Sequence, residues 1–414
     1  MNQFNVLSKN RLRIGVSILI IFVLSLSMVI PALANGAWAS TGDMTYGRAE
    51  HQAVKLNDGR VLVVGGRIFT TASNKAEVYD PATGAWSETG PKNFDSVKSS
   101  ATLLADGRVL VAGSEGFYSA DSAAAEIYDP ATNVWTPTGF MTKGRSGHLA
   151  VRLNDGRVLV SGNQWGDTTA ELYDPVTGVW TATGSLNTHH GRATASLLPD
   201  GRVLVAGGYY LDAVQGELAF AEAEIYDPTT GAWQYTGSLN VARQLHTATT
   251  LSDGRILVAA GRNQNNAWLA SAEIYDPATG TWNLTGTMNR SRYAHTATLL
   301  QNGQVLVAGV PNVPNVNILS VEIYDPAGGF WFNATDAPEE RWSHTATLLD
   351  NGDVLIAGGL QTSDPSIGFD KVTAVLYTPG EGTPPPPPPG PTESHVSDLG
   401  GNSFWINNHR WQAT

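Results

Sequence analysis

The sequence predicts an all-β protein, a seven-bladed β-propeller with four antiparallel strands per blade and the last blade closed by the N-terminal strand. Three observations carry that prediction. A tyrosine recurs at Tyr79, Tyr128, Tyr173, Tyr226, Tyr275, Tyr324 and Tyr377, at intervals of 49, 45, 53, 49, 49 and 53 residues. A tryptophan keeps nearly the same rhythm at Trp38, Trp86, Trp135, Trp180, Trp233, Trp282 and Trp331. Asp-Gly or Asn-Gly pairs beginning at Asp58, Asp106, Asp155, Asp200, Asp253, Asn302 and Asn351 separate two short β-rich runs in every unit. A period near ~50 residues with four strand signals per unit is a propeller's.

The first segment stands outside the ring. Residues 1–34 read as a signal peptide: Lys9, Arg11 and Arg13 form a positive region, an apolar run extends from Ile14 to Ile30, and Ala32-Leu33-Ala34 is an A-x-A site that puts cleavage after Ala34. The propeller is expected over residues 35–380 and begins with a lone strand around Trp38. Each unit then opens with a run such as HTATLL at His295, turns at the Asp-Gly or Asn-Gly pair, and returns through a run such as VLVAG. The pair tolerates positive φ and is expected to form a type I′ hairpin turn. The phrase AEIYDPxTGxW, clearest from Ala272 to Trp282, supplies the third strand, a turn and the fourth strand. In that turn Asp can accept backbone N–H groups, Pro presets φ and Gly takes the left-handed position. The chain reaches a third strand at Ala374–Pro379 with no tryptophan after it, so the Trp38 strand is expected to complete the seventh blade and hide its edge. Residues 381–391, with prolines from Pro384 to Pro389, read as a proline-rich linker, and 392–414 as the truncated start of a β-sandwich-like module, expected to be disordered.

The bulk numbers restrict the chemistry. A net charge of −12 becomes −15 once the three basic residues of the leader are removed, which argues against nucleic acid and anionic membranes as partners. The absence of cysteine excludes disulfides, thiolate zinc sites, iron–sulfur clusters and cysteine nucleophiles. No H-E-x-x-H or similar signature is present, and neither a metal nor another cofactor is expected.

Because successive strands run antiparallel, the two tight turns of each blade share one face of the disc, and the variable connections share the other, where binding usually resides. That second face carries two candidate features. An Arg-x-x-His element precedes the innermost strand at Arg48/His51, Arg145/His148, Arg243/His246, Arg292/His295 and Arg341/His344, with Ser96/Ser99 and His190/Ala193 in the same frame of the other two units. It is expected either to ring the channel mouth with positive charge, receiving a carboxylate, a sulfate or an acidic sugar, or to serve the scaffold, Arg pairing with a neighbouring blade and His bonding a backbone carbonyl. Aromatic residues on the variable loops, Phe69, Phe117, Tyr118, Trp165, Tyr209, Tyr210, Phe220 and Trp268, are suited to stacking on sugar rings or anchoring a protein, or else to folding over blade edges. Of these, Trp165, Tyr209, Tyr210 and Trp268 join the five Arg/His pairs as the candidate ligand-binding residues.

The Gly-Gly pairs, the tyrosine of AEIYDP and the tryptophan that follows it resemble the kelch motif, and the span from Asn35 to Gly380 resembles the kelch propeller of the galactose oxidase superfamily. That resemblance implies the fold and leaves the activity open, since the superfamily includes copper-radical oxidases and many non-catalytic binding proteins. The oxidase chemistry requires a tyrosine cross-linked to a cysteine beside copper, and this chain has no cysteine. No residue is therefore carried over as catalytic. The expectation is a monomeric, secreted or cell-surface binding scaffold that recognises a glycan or an extracellular protein through its variable-loop face. Two alternatives stand beside it: a carbohydrate-active enzyme using His and Arg at the channel mouth, and a purely architectural domain.

Overall fold

The computed structural model describes residues 35–68, 71–115, 120–212, 216–309, 319–361, 370–380, 403–406 and 409–412. The leader and the proline-rich linker lie outside the described residues. Seven four-stranded antiparallel sheets follow one another along the chain. Blade 1 comprises Gln52–Lys55, Val61–Val64, Ala76–Asp80 and Ala85–Glu88. Blade 2 comprises Ser100–Leu103, Val109–Ala112, Ala125–Asp129 and Val134–Pro137. Blade 3 comprises Leu149–Arg152, Val158–Ser161, Ala170–Asp174 and Val179–Thr183. Blade 4 comprises Thr194–Leu197, Val203–Ala206, Ala223–Asp227 and Ala232–Tyr235. Blade 5 comprises Thr247–Thr250, Ile256–Ala259, Ala272–Asp276 and Thr281–Leu284. Blade 6 comprises Thr296–Leu299, Val305–Ala308, Glu322–Asp325 and Phe330–Asn333. Blade 7 takes Thr345–Leu348, Val354–Ala357 and Ala374–Thr378 from one end of the ring and Ala37–Ser40 from the other. The Ala37–Ser40 strand pairs antiparallel with Ala374–Thr378, Trp38 opposite Tyr377. Each first strand neighbours the first strand of the next blade, and that of blade 7 neighbours that of blade 1, so the innermost strands form a closed ring.

The core lies between blades. Every second strand is buried along its whole length, because a sheet stacked between two others hides both faces, and its Val/Leu/Ile run satisfies both. Leu251, Leu257 and Ala259 of blade 5, for example, pack on Val305, Val307, Tyr324 and Trp331 of blade 6. The repeated aromatics fasten the same joints. The Tyr226 hydroxyl bonds the Thr183 hydroxyl of the preceding blade at 2.7 Å, and the Trp233 indole donates to the Gly184 carbonyl at 2.8 Å. Blades 1, 3, 5 and 6 repeat both bonds at Tyr79/Trp86, Tyr173/Trp180, Tyr275/Trp282 and Tyr324/Trp331.

The first hairpin differs from the expected type I′ turn. Leu56 accepts from the Gly59 N–H at 3.1 Å and donates to Arg60 O at 2.8 Å, and only Gly59 has positive φ, at 85°. This is a type I turn followed by a left-handed glycine, a three-residue loop with a G1 bulge. The extra residue lets Asp58 bond the Arg60 amide at 3.1 Å and its guanidinium at 2.8 Å. The Asp-Pro turn matches expectation: Asp80 accepts from Ala82 N–H at 2.9 Å, and Gly84 has φ 68°. In the tail, Ser403–Ile406 and His409–Gln412 pair antiparallel.

Candidate functional site at the channel mouth

The connections between blades converge on a cavity of about 750 Å³ at the mouth of the channel, to which all seven blades contribute lining residues. Its wall is set by the four-residue frame that contains Arg-x-x-His. The third residue of that frame is Glu50, Lys98, Gly147, Arg192, Leu245, Ala294 and Ser343 in the successive blades, and every one has φ between 48° and 56°. Left-handed backbone at six non-glycine residues costs energy and persists only where the surroundings impose it. Here it turns the amide sideways along the ring. Gly147 N–H donates to Lys98 O at 2.7 Å, Lys98 N–H to Glu50 O at 3.5 Å, Glu50 N–H to Ser343 O at 3.2 Å, and Ser343 N–H to Ala294 O at 3.3 Å, while Leu245 N–H donates to Arg192 O at 3.1 Å.

The candidate arginines are not at the surface of this cavity. Arg48, Arg145, Arg243 and Arg292 are at most 1% exposed and Arg341 is 4% exposed. Four of them pair within their own blade with the glutamate of the third strand: Arg48–Glu77 at 2.7 Å, Arg145–Glu171 at 3.0 Å, Arg243–Glu273 at 2.7 Å and Arg292–Glu322 at 2.6 Å. The same carboxylates accept backbone amides of the incoming interblade connection, as Glu273 does from Asn240 and Val241 at 2.6 and 3.0 Å. The departing units meet the third-strand glutamate, or replace it, by other means. Blade 2, with Ser96 in the arginine position, pairs Glu126 with Lys92 at 2.8 Å. Blade 4 sets His190 against Glu224 at 3.2 Å. Blade 7 has Val375 in the glutamate position, and Glu339 approaches Arg341 from the connection instead.

The candidate histidines do reach the cavity wall, and each is tied to the blade before it. His51 bonds Thr345 at 3.0 Å, His148 bonds Ser100 at 2.9 Å, His246 bonds Thr194 at 2.9 Å, His295 bonds Thr247 at 3.0 Å and His344 bonds Thr296 at 3.0 Å, through Nε2 in every case. Where the histidine is replaced, by Ser99 or Ala193, the facing hydroxyl is replaced too, by Gln52 or Leu149. Burial, reinforced by the adjacent guanidinium, lowers His148, His246 and His344 to about 3. The same causes hold His51 and His295 well below the ordinary imidazole range. The mouth is therefore not ringed by these ten residues as cations: the imidazoles are neutral and the guanidiniums are buried against carboxylates. The scaffold reading also needs exchange, since Arg pairs inside its blade and His joins neighbouring blades through a hydroxyl.

The loop aromatics divide. Tyr209 is 1% exposed and lies beneath Arg192, whose guanidinium is 4.7 Å from the ring centre. Tyr210 stacks on His189 at 4.4 Å, and Tyr209–Asp212 pairs with Gly216–Ala219 as a hairpin. Trp165 is 37% exposed. Trp268 packs edge-on against Tyr293 at 4.0 Å. Phe69, Phe117 and Tyr118 lie outside the described residues.

Residues the sequence reading passed over shape the mouth more than those it chose. On blades 1 to 3, Glu50 and Glu115 hold Arg67 and Lys98, with Gln164 bonded to Glu115 at 3.2 Å. On blade 4, Glu217 meets Arg192 at 3.5 Å and Gln244 at 3.0 Å. On blades 5 to 7 the wall holds Arg262, Tyr293 and Trp342.

The kelch motif matches residues 56–93 and 245–289. No curated protein matches the chain in sequence. Among solved structures, a "novel fungal alcohol oxidase with catalytic diversity among the AA5 family, in complex with copper" superposes with a TM-score of 0.68 at 18% identity, over 83% of this chain and 76% of that one. A copper site of the oxidase kind does not fit here. The chain lacks the cysteine of the cross-link, its channel histidines use Nε2 on hydroxyls, and among the described residues no three His, Asp or Glu side chains cluster in a way that could hold a metal. Repeat, blade number, strand order and structural likeness agree: the chain carries kelch motifs and folds as a seven-bladed kelch-type β-propeller, a fold it shares with that alcohol oxidase.

Proposed function

We propose that this chain is an exported recognition scaffold that binds a glycan at the channel mouth. The observation that carries the reading is the composition of the cavity's wall on blades 5 to 7. Arg262 lies over Tyr293 at 5.6 Å, Trp268 meets the same ring edge-on, and Trp342 follows on the next blade. Aromatic rings beside hydrogen-bond donors suit a pyranose, whose C–H face stacks while its hydroxyls are bonded. The cavity's volume suits a small oligosaccharide or the end of a longer one. The histidines offer little to acid–base chemistry, being neutral and committed to hydroxyls, so binding is favoured over catalysis. Export rests on the leader motif of residues 1–34, and cleavage after Ala34 keeps Asn35, whose carbonyl accepts the Tyr377 hydroxyl at 2.8 Å.

A glycan and protein array probed with the purified chain tests this. The expected result is binding to one glycan class, weakened about tenfold or more in Trp268→Ala and Tyr293→Ala proteins that melt as the parent does. Glycan binding untouched by both substitutions would move the site elsewhere. Capture of protein ligands alone would replace the glycan reading.

A further inference from the structure

We infer that the glycan is acidic, and that its carboxylate is received by Arg262 with the indole N–H of Trp342 beside it. The inference rests on the proposed function and adds the ligand's charge and the groups that read it. The three cations lining the cavity are not equivalent. Lys98 is held by Glu50 and Glu115, at 3.4 and 3.0 Å, and Arg192 faces Glu217 at 3.5 Å. Among the described residues Arg262 is paired with no carboxylate. Its terminal nitrogen Nη2 donates to the Asn266 side-chain oxygen at 2.7 Å, a neutral acceptor that orients the guanidinium and leaves its charge unmatched. Its Nε–H is shielded from solvent and has no acceptor among the described residues, and the Nε1–H of Trp342 is in the same condition.

A buried donor without an acceptor costs free energy that a correctly placed ligand oxygen recovers. Two such donors on one cavity wall, one of them on a full positive charge, describe a site for an anion. Both are held from the backbone. Arg262 and Gln244 exchange N–H···O bonds at 2.9 and 2.8 Å, and Trp342 and Leu360 at 3.2 and 2.9 Å. A single guanidinium matches a singly charged carboxylate, whereas a phosphate would call for further cationic charge. The Tyr293 ring beneath the Arg262 guanidinium, braced by Trp268, favours a sugar as the body that bears the carboxylate. Among the described residues the one carboxylate lining the cavity, Glu50, is bound to Arg67 and Lys98 on the blade 1 to 2 side.

The test is titration calorimetry on the full chain with a galacturonate trisaccharide and with its carboxyl-reduced counterpart, the same sugar without charge. The acidic sugar is expected to bind at least tenfold more tightly and to lose most of that preference between 50 and 500 mM salt. Arg262→Gln is expected to erase the preference while keeping residual affinity for the neutral sugar. Arg262→Lys should restore part of it, and Trp342→Phe, which removes the N–H and keeps the ring, should weaken the acidic sugar severalfold. Equal affinity of the two sugars for the parent chain would overturn this inference and leave the glycan reading standing. Absence of binding to either, with array signal only for proteins, would remove both. A carboxylated peptide that binds as tightly as the acidic sugar would sink the assignment of a sugar.

Discussion

At the scale of single residues, the repeated polar groups are internal fasteners, and their energetics differ by kind. The Arg243–Glu273 pair is wholly buried, so removing one partner strands a charge. Glu273→Gln is expected to lower stability by about 3–5 kcal/mol, read by denaturant unfolding. Lys92→Met in blade 2 should act similarly, because Lys92 there does the work of the missing arginine. The histidines set a pH dependence of definite sign. Their folded form holds the neutral state far below the pH at which an unfolded imidazole, near 6.5, takes up a proton. The unfolded chain thus binds more protons as pH falls, and stability declines from about pH 6.5 downward, continuing until the folded imidazoles titrate near 3. At pH 5 each of His148, His246 and His344 is expected to contribute roughly 2 kcal/mol of that loss. Melting curves from pH 7.5 to 5 should therefore fall steeply for the parent chain and less steeply for His246→Gln. A flat parent profile would contradict the neutral, buried state.

At the scale of the element, the sequence made legible whatever repeats with a local signature. Strands, the Asp-Pro turn and the joints at Tyr and Trp follow from patterns within a dozen residues. The hairpin type was misread because Asp-Gly marks positive φ at the glycine without saying that the residue before it stays in the right-handed region, as Asp58 does. The glutamate of AEIY was passed over because alternation alone explains a polar residue at that position, and its arginine lies about 30 residues earlier, a pairing visible only in three dimensions. Arg262, Tyr293 and Trp342 escaped notice for the opposite reason: they do not repeat. Tyr293 and Trp342 even occupy the first variable place of the Arg-x-x-His frame, where the other blades hold Ala49, Val97, Ser146, Gly191 and Gln244. Glycines separate two costs at this scale. A methyl group at Gly65 would sit 2.1 Å from the Ser96 carbonyl oxygen, whereas one at Gly156 would meet nothing within 4 Å, although both have positive φ. Gly156→Ala is expected to cost about 1–2 kcal/mol of backbone strain alone, and Gly65→Ala distinctly more, because blade 2 must move away.

At the scale of the whole molecule, stability depends on a joint between residues far apart in the chain. Ala37 faces Thr378, the Trp38 indole donates to the Thr335 carbonyl at 2.9 Å, and the Trp38 and Tyr377 rings lie 5.0 Å apart. Deleting residues 35–41 is expected to expose the Ala374–Thr378 edge and promote aggregation, measurable by light scattering, more than a single-blade substitution would. The same joint sets the order in which the molecule can come into being. Six blades can pair from neighbouring segments as they appear, but the seventh needs a stretch made at the outset and another made some 340 residues later. Until Thr378 is available the first strand has no partner, and the disc remains a curved stack with two raw ends. A ribosome that has not yet extruded the last third strand therefore carries an unfinished object, and the disc closes only after that strand has emerged.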